Sequence, residues 1–317
     1  MAEFESVKHE NSQAHYSNAN TQPNSPQREL ELSDVKRRRS GYTTYAPAGL
    51  EKREAYLQDK PSPTRSQHSP MLHQESLNWC AMQASNNPFD TDRTASLGLL
   101  EIFFAHISGS TYCFLPEHHF RRWVCDESQR KSREDLVLIY AVLAMATTYT
   151  TPERDDMKTK GSEYAAIARY AATGREFSLQ LVQTRLLLSL YYYAINIFHE
   201  AWDYSGGALR TALGMNLNLE LSDAELQSAP SIYNLNKNGY AECRRRTFWS
   251  CYLMDHFTGF CNNALSTISP EDIFLRVPAK TKHFESQSDL LGPFFDSARI
   301  PIPDVLENAG VMAYLVN

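Results

Sequence analysis

The chain has 317 residues, 42% of them hydrophobic, and a formal net charge of −6 with a pI of about 5.9. That length is enough for one large domain or two ordinary ones. The acidic balance excludes a protein that grips nucleic acid with its whole surface, because such surfaces are basic.

Residues 1–92 read as disordered. HENSQAHYSNANTQPNSPQ is dominated by Asn, Ser and Gln with prolines, and KPSPTRSQHSP repeats the bias. Such segments bury too little apolar surface to offset chain entropy. Within them LEKREAYLQ (50–58) is a short helical candidate, and Lys36, Arg37, Arg38 and Arg39 form a basic run. Residues 1–70 carry 10 basic and 9 acidic side chains and the rest 21 and 28, so the apolar part is the acidic one. The first residues hold no apolar run, so no signal peptide is expected, and no stretch approaches the length of a membrane span.

From residue 93 to 317 the pattern is helical, and an all-α multi-helix bundle is expected. Leu97, Leu100, Phe104 and Ile107 recur at steps of three and four, the mark of a helix with one buried face. After SGSTYCFLPEHHF, a connection punctuated by Gly and Pro, SREDLVLIYAVLAMATTYT opens on Ser132 with Asp135 three later, a capping box. The next helix starts with Thr151 as N-cap and Pro152 at its first position, shows small residues at Ala165, Ala168, Ala171 and Ala172, and stops at Gly174. SLQLVQTRLLLSLYYYAINIF is apolar on most sides and should be central. In HEAWDYSGGALRTALGMNLNLEL, Trp202, Leu209, Leu213 and Leu217 fall near helical spacing. Gly206 and Gly207 cost helix propensity there, so a second backbone is expected to pass close by. SDAELQSAPSIYNLNKNG reads as a loop, and no strand pair is evident.

The last helix contains AECRRRTFWSCYLMDH. Arg244, Phe248, Cys251, Tyr252 and Asp255 share one helical face, and Arg245, Trp249, Leu253 and His256 form a neighbouring stripe. Two adjacent apolar stripes imply burial on most sides. Arginines in that position are expected to pack by their stems and pair by their heads rather than touch phosphate. Glu242 stands four before Arg246, a favourable helical pair.

These segments, in this order, resemble the fungal-specific transcription factor domain, the middle homology region of fungal regulators that carry a six-cysteine, two-zinc cluster. The Trp–Gly–Arg helix and its Leu-Gly-Leu end are matched by Trp202, Gly206, Arg210, Leu213, Gly214 and Leu217. The Glu-x-Arg-Arg-Arg-x-Phe-Trp helix is matched by Glu242, Arg244, Arg245, Arg246, Phe248 and Trp249, and its later Asp-His step by Asp255 and His256. The closing stretch is matched by Ile268, Asp272, Ile273 and Pro278. The resemblance covers residues 95–285 and implies a nuclear regulator of transcription, with DNA and zinc binding supplied by the family's N-terminal cluster. It also implies a helical region that continues further, so this copy is expected to be incomplete at its C-terminus. No cysteine precedes Cys80 and no two cysteines have paired zinc-ligand spacing, so no cofactor is expected in this chain, and zinc only with a cluster elsewhere.

Under that resemblance, Lys36–Arg39 is a nuclear import signal or a basic linker. Partners would be the transcription machinery or a related regulator, in a homo- or heterodimer, with DNA contacted only indirectly and no membrane. Tyr191, Tyr192 and Tyr193 are candidates to line a small-ligand cavity, with core packing as the other reading. His118 and His119 lie near Cys113 and Cys125 without a recognised ligand spacing, so no metal site is assigned. No nucleophile elbow, phosphate loop or dinucleotide fingerprint occurs, so no enzyme is expected. The alternative function is a helical ligand- or partner-binding decoy with no DNA binding of its own.

Overall fold

The computed structural model describes residues 70–108, 112–150, 155–262, 267–296 and Gly310. Lys36–Arg39, the helix expected at 50–58, the caps at Thr151 and Pro152, and most of the chain after 296 lie outside the described residues. Among the described residues there are eleven α-helices and no sheet, only isolated bridges joining Leu219 to Phe274 and Arg276 to Phe294.

Helices begin at Pro70, inside the segment that composition assigned to disorder. Helix α1 (Pro70–Gln83) is followed by the one-turn α2 (Pro88–Thr91). α1 has no amphipathic stripe, so periodicity could not announce it. It is held by burial of Cys80 and by the Tyr140 hydroxyl, which donates within 3.0 Å of the Gln83 and Asn86 carbonyls. Asp92 caps α3 (Arg93–Phe103), whose last turn widens into a π-helical turn at Phe104–Ser108.

Helix α4 (Glu117–Cys125) has no side-chain cap of its own, and its first turn meets a carboxylate from far along the chain. The Glu285 oxygens accept from the Glu117 and His118 amides at 2.6 and 3.1 Å, an anion at a helix N-terminus. Helix α5 (Arg133–Thr147) starts on the expected capping box of Ser132 and Asp135, and every residue from Leu136 to Thr147 is buried. Helix α6 (Asp155–Ala172) lies on α5 through Ala165 and Ala168, and Gly174 ends it at φ +66°. Gly161 allows that approach, because a Cβ there would run into Thr147 Oγ1.

Helix α7 (Leu179–Ala194) is central as expected: it packs on α5, on α8 (Phe198–Gly214) and on α10 (Lys237–Asn262). α8 meets it through small side chains, Ala201, Ser205, Ala208 and Ala212, and the Ser189 hydroxyl donates to Ala201 O at 2.7 Å. The segment read as a loop holds the short α9 (Asp223–Gln227), started by a capping box of Ser222 and Glu225. Beyond α10, a 3-10 turn (Pro270–Asp272), an extended stretch and α11 (Thr281–Glu285) lie back across α10.

Candidate functional site

The arginine run lies near the start of α10 and is inside the protein. Glu242, Arg244, Arg245 and Arg246 are 5%, 8%, 4% and 1% exposed, which removes them from reach of a polyanion. Arg246 donates to Glu242 Oε1 at 2.9 Å, to the Cys113 carbonyl at 2.9 Å, to Cys113 Sγ at 2.8 Å and to the Ala279 carbonyl at 2.7 Å. Its guanidinium also stacks 4.5 Å from the Phe284 ring centroid. Arg245 bridges two carboxylates, Glu220 at 2.8 Å and Glu242 at 3.0 Å. Arg244 reaches the Asn216 carbonyl at 3.3 Å. Glu242 Oε1 takes one further donor, the Ala279 amide at 2.9 Å.

Two carboxylates, the buried Glu242 and the partly exposed Glu220, thus face two guanidinium groups. Burial works against the charge of Arg245, but its hydrogen bond to Glu220 and the charge of Glu242 outweigh it, and its pKa stands above the ordinary arginine value. For Arg246 burial is likewise outweighed, by Cys113 and Glu242. Such a network does little for net stability against apolar residues of the same shape, but removing one member strands a buried charge.

Phe248 and Trp249 follow on the same helix and are fully buried. The Trp249 indole donates to Arg276 O at 2.8 Å and packs edge-on against Phe248 and Phe295. Asp255 accepts from the Thr267 amide at 2.7 Å and its hydroxyl at 2.8 Å. Arg246, Trp249 and Asp255 therefore fasten three successive points of the returning segment to α10. These side chains are spent on one another and on the backbone. Their arrangement positions elements.

The other motif residues are placed differently. Trp202, read at near-helical spacing with Leu209, Leu213 and Leu217, is 57% exposed, because α8 turns its alanines and serine toward α7 and the indole outward. Among the described residues, no second backbone crosses Gly206 or Gly207. A Cβ at Gly206 would meet the guanidinium of Arg210, and one at Gly207 would touch the Arg185 side chain at 3.7 Å. The close approach in this helix is at Gly214, where a Cβ would stand 2.6 Å from the Phe177 ring.

The three tyrosines do not converge. Tyr191 and Tyr192 are buried in the core, and burial pushes the Tyr191 hydroxyl up to about 12. Tyr192 stacks on Tyr204 at 5.6 Å, while Tyr193 turns outward against Phe198.

His118 and His119 are hydrogen-bonded to Glu285, and His119 also to Gln287. Among the described residues no group of three His, Cys, Asp or Glu is placed to hold a metal ion. Cys80, Cys113, Cys125, Cys243 and Cys251 are free thiols. A polar cleft of about 300 Å³ lies between α2, α4 and α5, bordered by Arg93, Asp126 and Lys131. The Lys131 ammonium is turned to the end of α4, donating to Trp123 O at 2.6 Å and Asp126 O at 3.2 Å.

Two functional partners carried no local signal. Glu220 reaches Arg245 from the stretch after α8. Tyr233 sits at φ +50° between α9 and α10, buried among Trp123 and Phe120, with its hydroxyl donating to Gln183 at 2.8 Å. The available hint was Gln183 itself, a polar residue in a leucine-rich helix that had to find a partner.

Fold and site together define an all-helical domain built around a buried guanidinium–carboxylate network. Residues 100–297 match the fungal specific transcription factor domain, and the chain belongs to that family. It is 33% identical over 235 residues to a transcriptional regulatory protein of Schizosaccharomyces pombe, covering 69% of this chain and 23% of that one. It is 28% identical over 237 residues to a Zn(2)-C6 fungal-type transcription factor of Fusarium oxysporum, covering 69% of this chain and 24% of that one. The chain thus spans about a quarter of the length of these relatives. No solved structure matches it. Family and relatives tie the chain to regulation of transcription.

Proposed function

We propose that this chain is a nuclear regulatory domain that acts on transcription by contacting other proteins, without catalysis and without reading DNA through its helical region. The observation that supports this reading is the state of Arg244, Arg245 and Arg246: the cations in the family motif are committed to Glu220, Glu242 and backbone carbonyls. Zinc and sequence-specific DNA contacts belong, in this reading, to a cysteine cluster other than the cysteines described here. Lys36, Arg37, Arg38 and Arg39 serve nuclear import, as closely spaced cations that fit acidic grooves on a carrier.

The test is a fusion of the full chain to a heterologous DNA-binding domain at a reporter, alongside transcript profiling after deletion of the gene. A changed reporter output and a defined set of altered transcripts are expected. A reporter indifferent to the fusion, with no transcript altered on deletion, overturns the proposal. Replacing Lys36–Arg39 by alanine is expected to move a fluorescently tagged copy from nucleus to cytosol; an unchanged distribution refutes the import role.

A further inference from the structure

One face of α8 carries large side chains that stand exposed. Phe198, Trp202, Gly206 and Arg210 recur every four residues along it. Phe198 and Trp202 are 52% and 57% exposed, and Tyr193 and Ile195, at the turn before the helix, 41% and 39%. The contact of α8 with the core is made elsewhere on its circumference by Ala201, Ser205, Ala208 and Ala212, so these large side chains are not the ones that hold the helix in place. Exposed aromatics clustered this way mark an interaction surface more often than a free one.

A second observation bears on what covers the face. Gly206 leaves bare backbone between Trp202 and Arg210, and the Arg210 guanidinium folds over it, 3.0 Å from where a Cβ would stand. Arg210 is exposed and forms no ion pair with a described carboxylate. The next cation, Arg185, also has no carboxylate partner and gives its Nη1 to Gly207 O and Thr211 Oγ1. Burial is the main cause that lowers its pKa, and the charge of Arg210 also lowers it, while Tyr204 and Asp203 act the other way. Of the carboxylates on this helix, Glu200 is taken by Arg169 at 3.2 Å, and Asp203 pairs with neither arginine. An aromatic ledge therefore ends beside two guanidinium groups that form no ion pair with a described carboxylate.

We propose that this face docks an acidic, apolar segment of a partner protein. An aromatic or aliphatic side chain would lie on Phe198 and Trp202, and a carboxylate would close on the Arg210 guanidinium as a charge-assisted pair. The surplus charge beside the rings is what selects an acidic occupant over a purely apolar one. The inference rests on the reading above, that the chain works through protein contacts, and it names the surface and the chemistry of the contact.

The experiment uses the full chain and a fluorescein-labelled peptide alternating Asp with Phe and Leu, read by fluorescence anisotropy. Saturable binding is expected, weakening as salt rises. Trp202→Ala and Arg210→Glu should each weaken it about tenfold or more, with helical circular dichroism unchanged because both side chains are exposed. The same peptide with Lys for Asp should not bind. Three results overturn the proposal: no saturable binding, equal binding by the variants, or a dimer by sedimentation that Trp202→Ala dissolves, which would make a second copy the occupant. The reporter assay separates this failure from that of the broader reading. Output that persists in both variants sinks the docking face alone, whereas a wild-type chain without output sinks the regulatory role and leaves the peptide titration to judge the face.

Discussion

Glu242 holds two guanidinium groups and one backbone amide with its two oxygens. Glu242→Ala is therefore expected to cost roughly 3–5 kcal/mol, the penalty of stranding buried charge, measurable by urea denaturation. A loss under about 1 kcal/mol would mean that water reaches the site. Two glycines give opposite forecasts. Gly206→Ala should stabilise by up to about 1 kcal/mol, since it gains helix propensity and displaces only the flexible tip of an exposed arginine. Gly161→Ala should destabilise in the same thermal melt, because its Cβ would drive into the buried Thr147 side chain. At this scale the Glu242–Arg246 pair was readable from a spacing of four. Glu220 was not, because the pairing crosses from one element to another. The outward turn of Trp202 was not readable from its near-helical spacing with Leu209, because the buried side of that helix is made by its alanines.

Helix α5 was the most legible element, since its capping box and its apolar run agree. Ser132→Ala should cost about 1 kcal/mol through loss of the hydroxyl that accepts from the Asp135 amide, read by the midpoint of chemical denaturation. Helix α10 was legible too, as two adjoining apolar stripes that imply burial all round. Its Trp249→Ala variant should lose roughly 3–5 kcal/mol, from the cavity and from the Arg276 carbonyl left without its donor. Helix α9 and the buried turn at Tyr233 were missed. Their sequence is polar and Asn-rich, and the fold there depends on one positive-φ tyrosine meeting a glutamine from another helix. Short elements fixed by distant partners leave no periodic trace.

The whole molecule should lose stability in alkali. Burial pushes the Cys243 thiol from its ordinary 9.0 up to about 12, and the Tyr112 and Tyr140 hydroxyls, like that of Tyr191, from 10.0 up to about 12. The unfolded chain releases these protons first, so their contribution is complete below about pH 9 and is lost as pH rises toward about 12. Unfolding free energies should therefore fall from about pH 9 upward; a flat profile between about pH 9 and about pH 11 would contradict the burial of these groups. The all-helical class was legible from residue 93 onward, and the earlier start at Pro70 was not, because α1 is ordered by contacts and not by pattern. The fastening of α10 also bears on how the molecule is made. Arg246 finds its final acceptor 33 residues downstream, at Ala279, so a ribosome has threaded out the entire helix before the guanidinium can complete its set of hydrogen bonds. Nascent chains halted inside that interval would hold Arg246 on Glu242 and Cys113 while the Trp249 indole still lacked the Arg276 carbonyl, an aromatic surface left open and a natural client for chaperones.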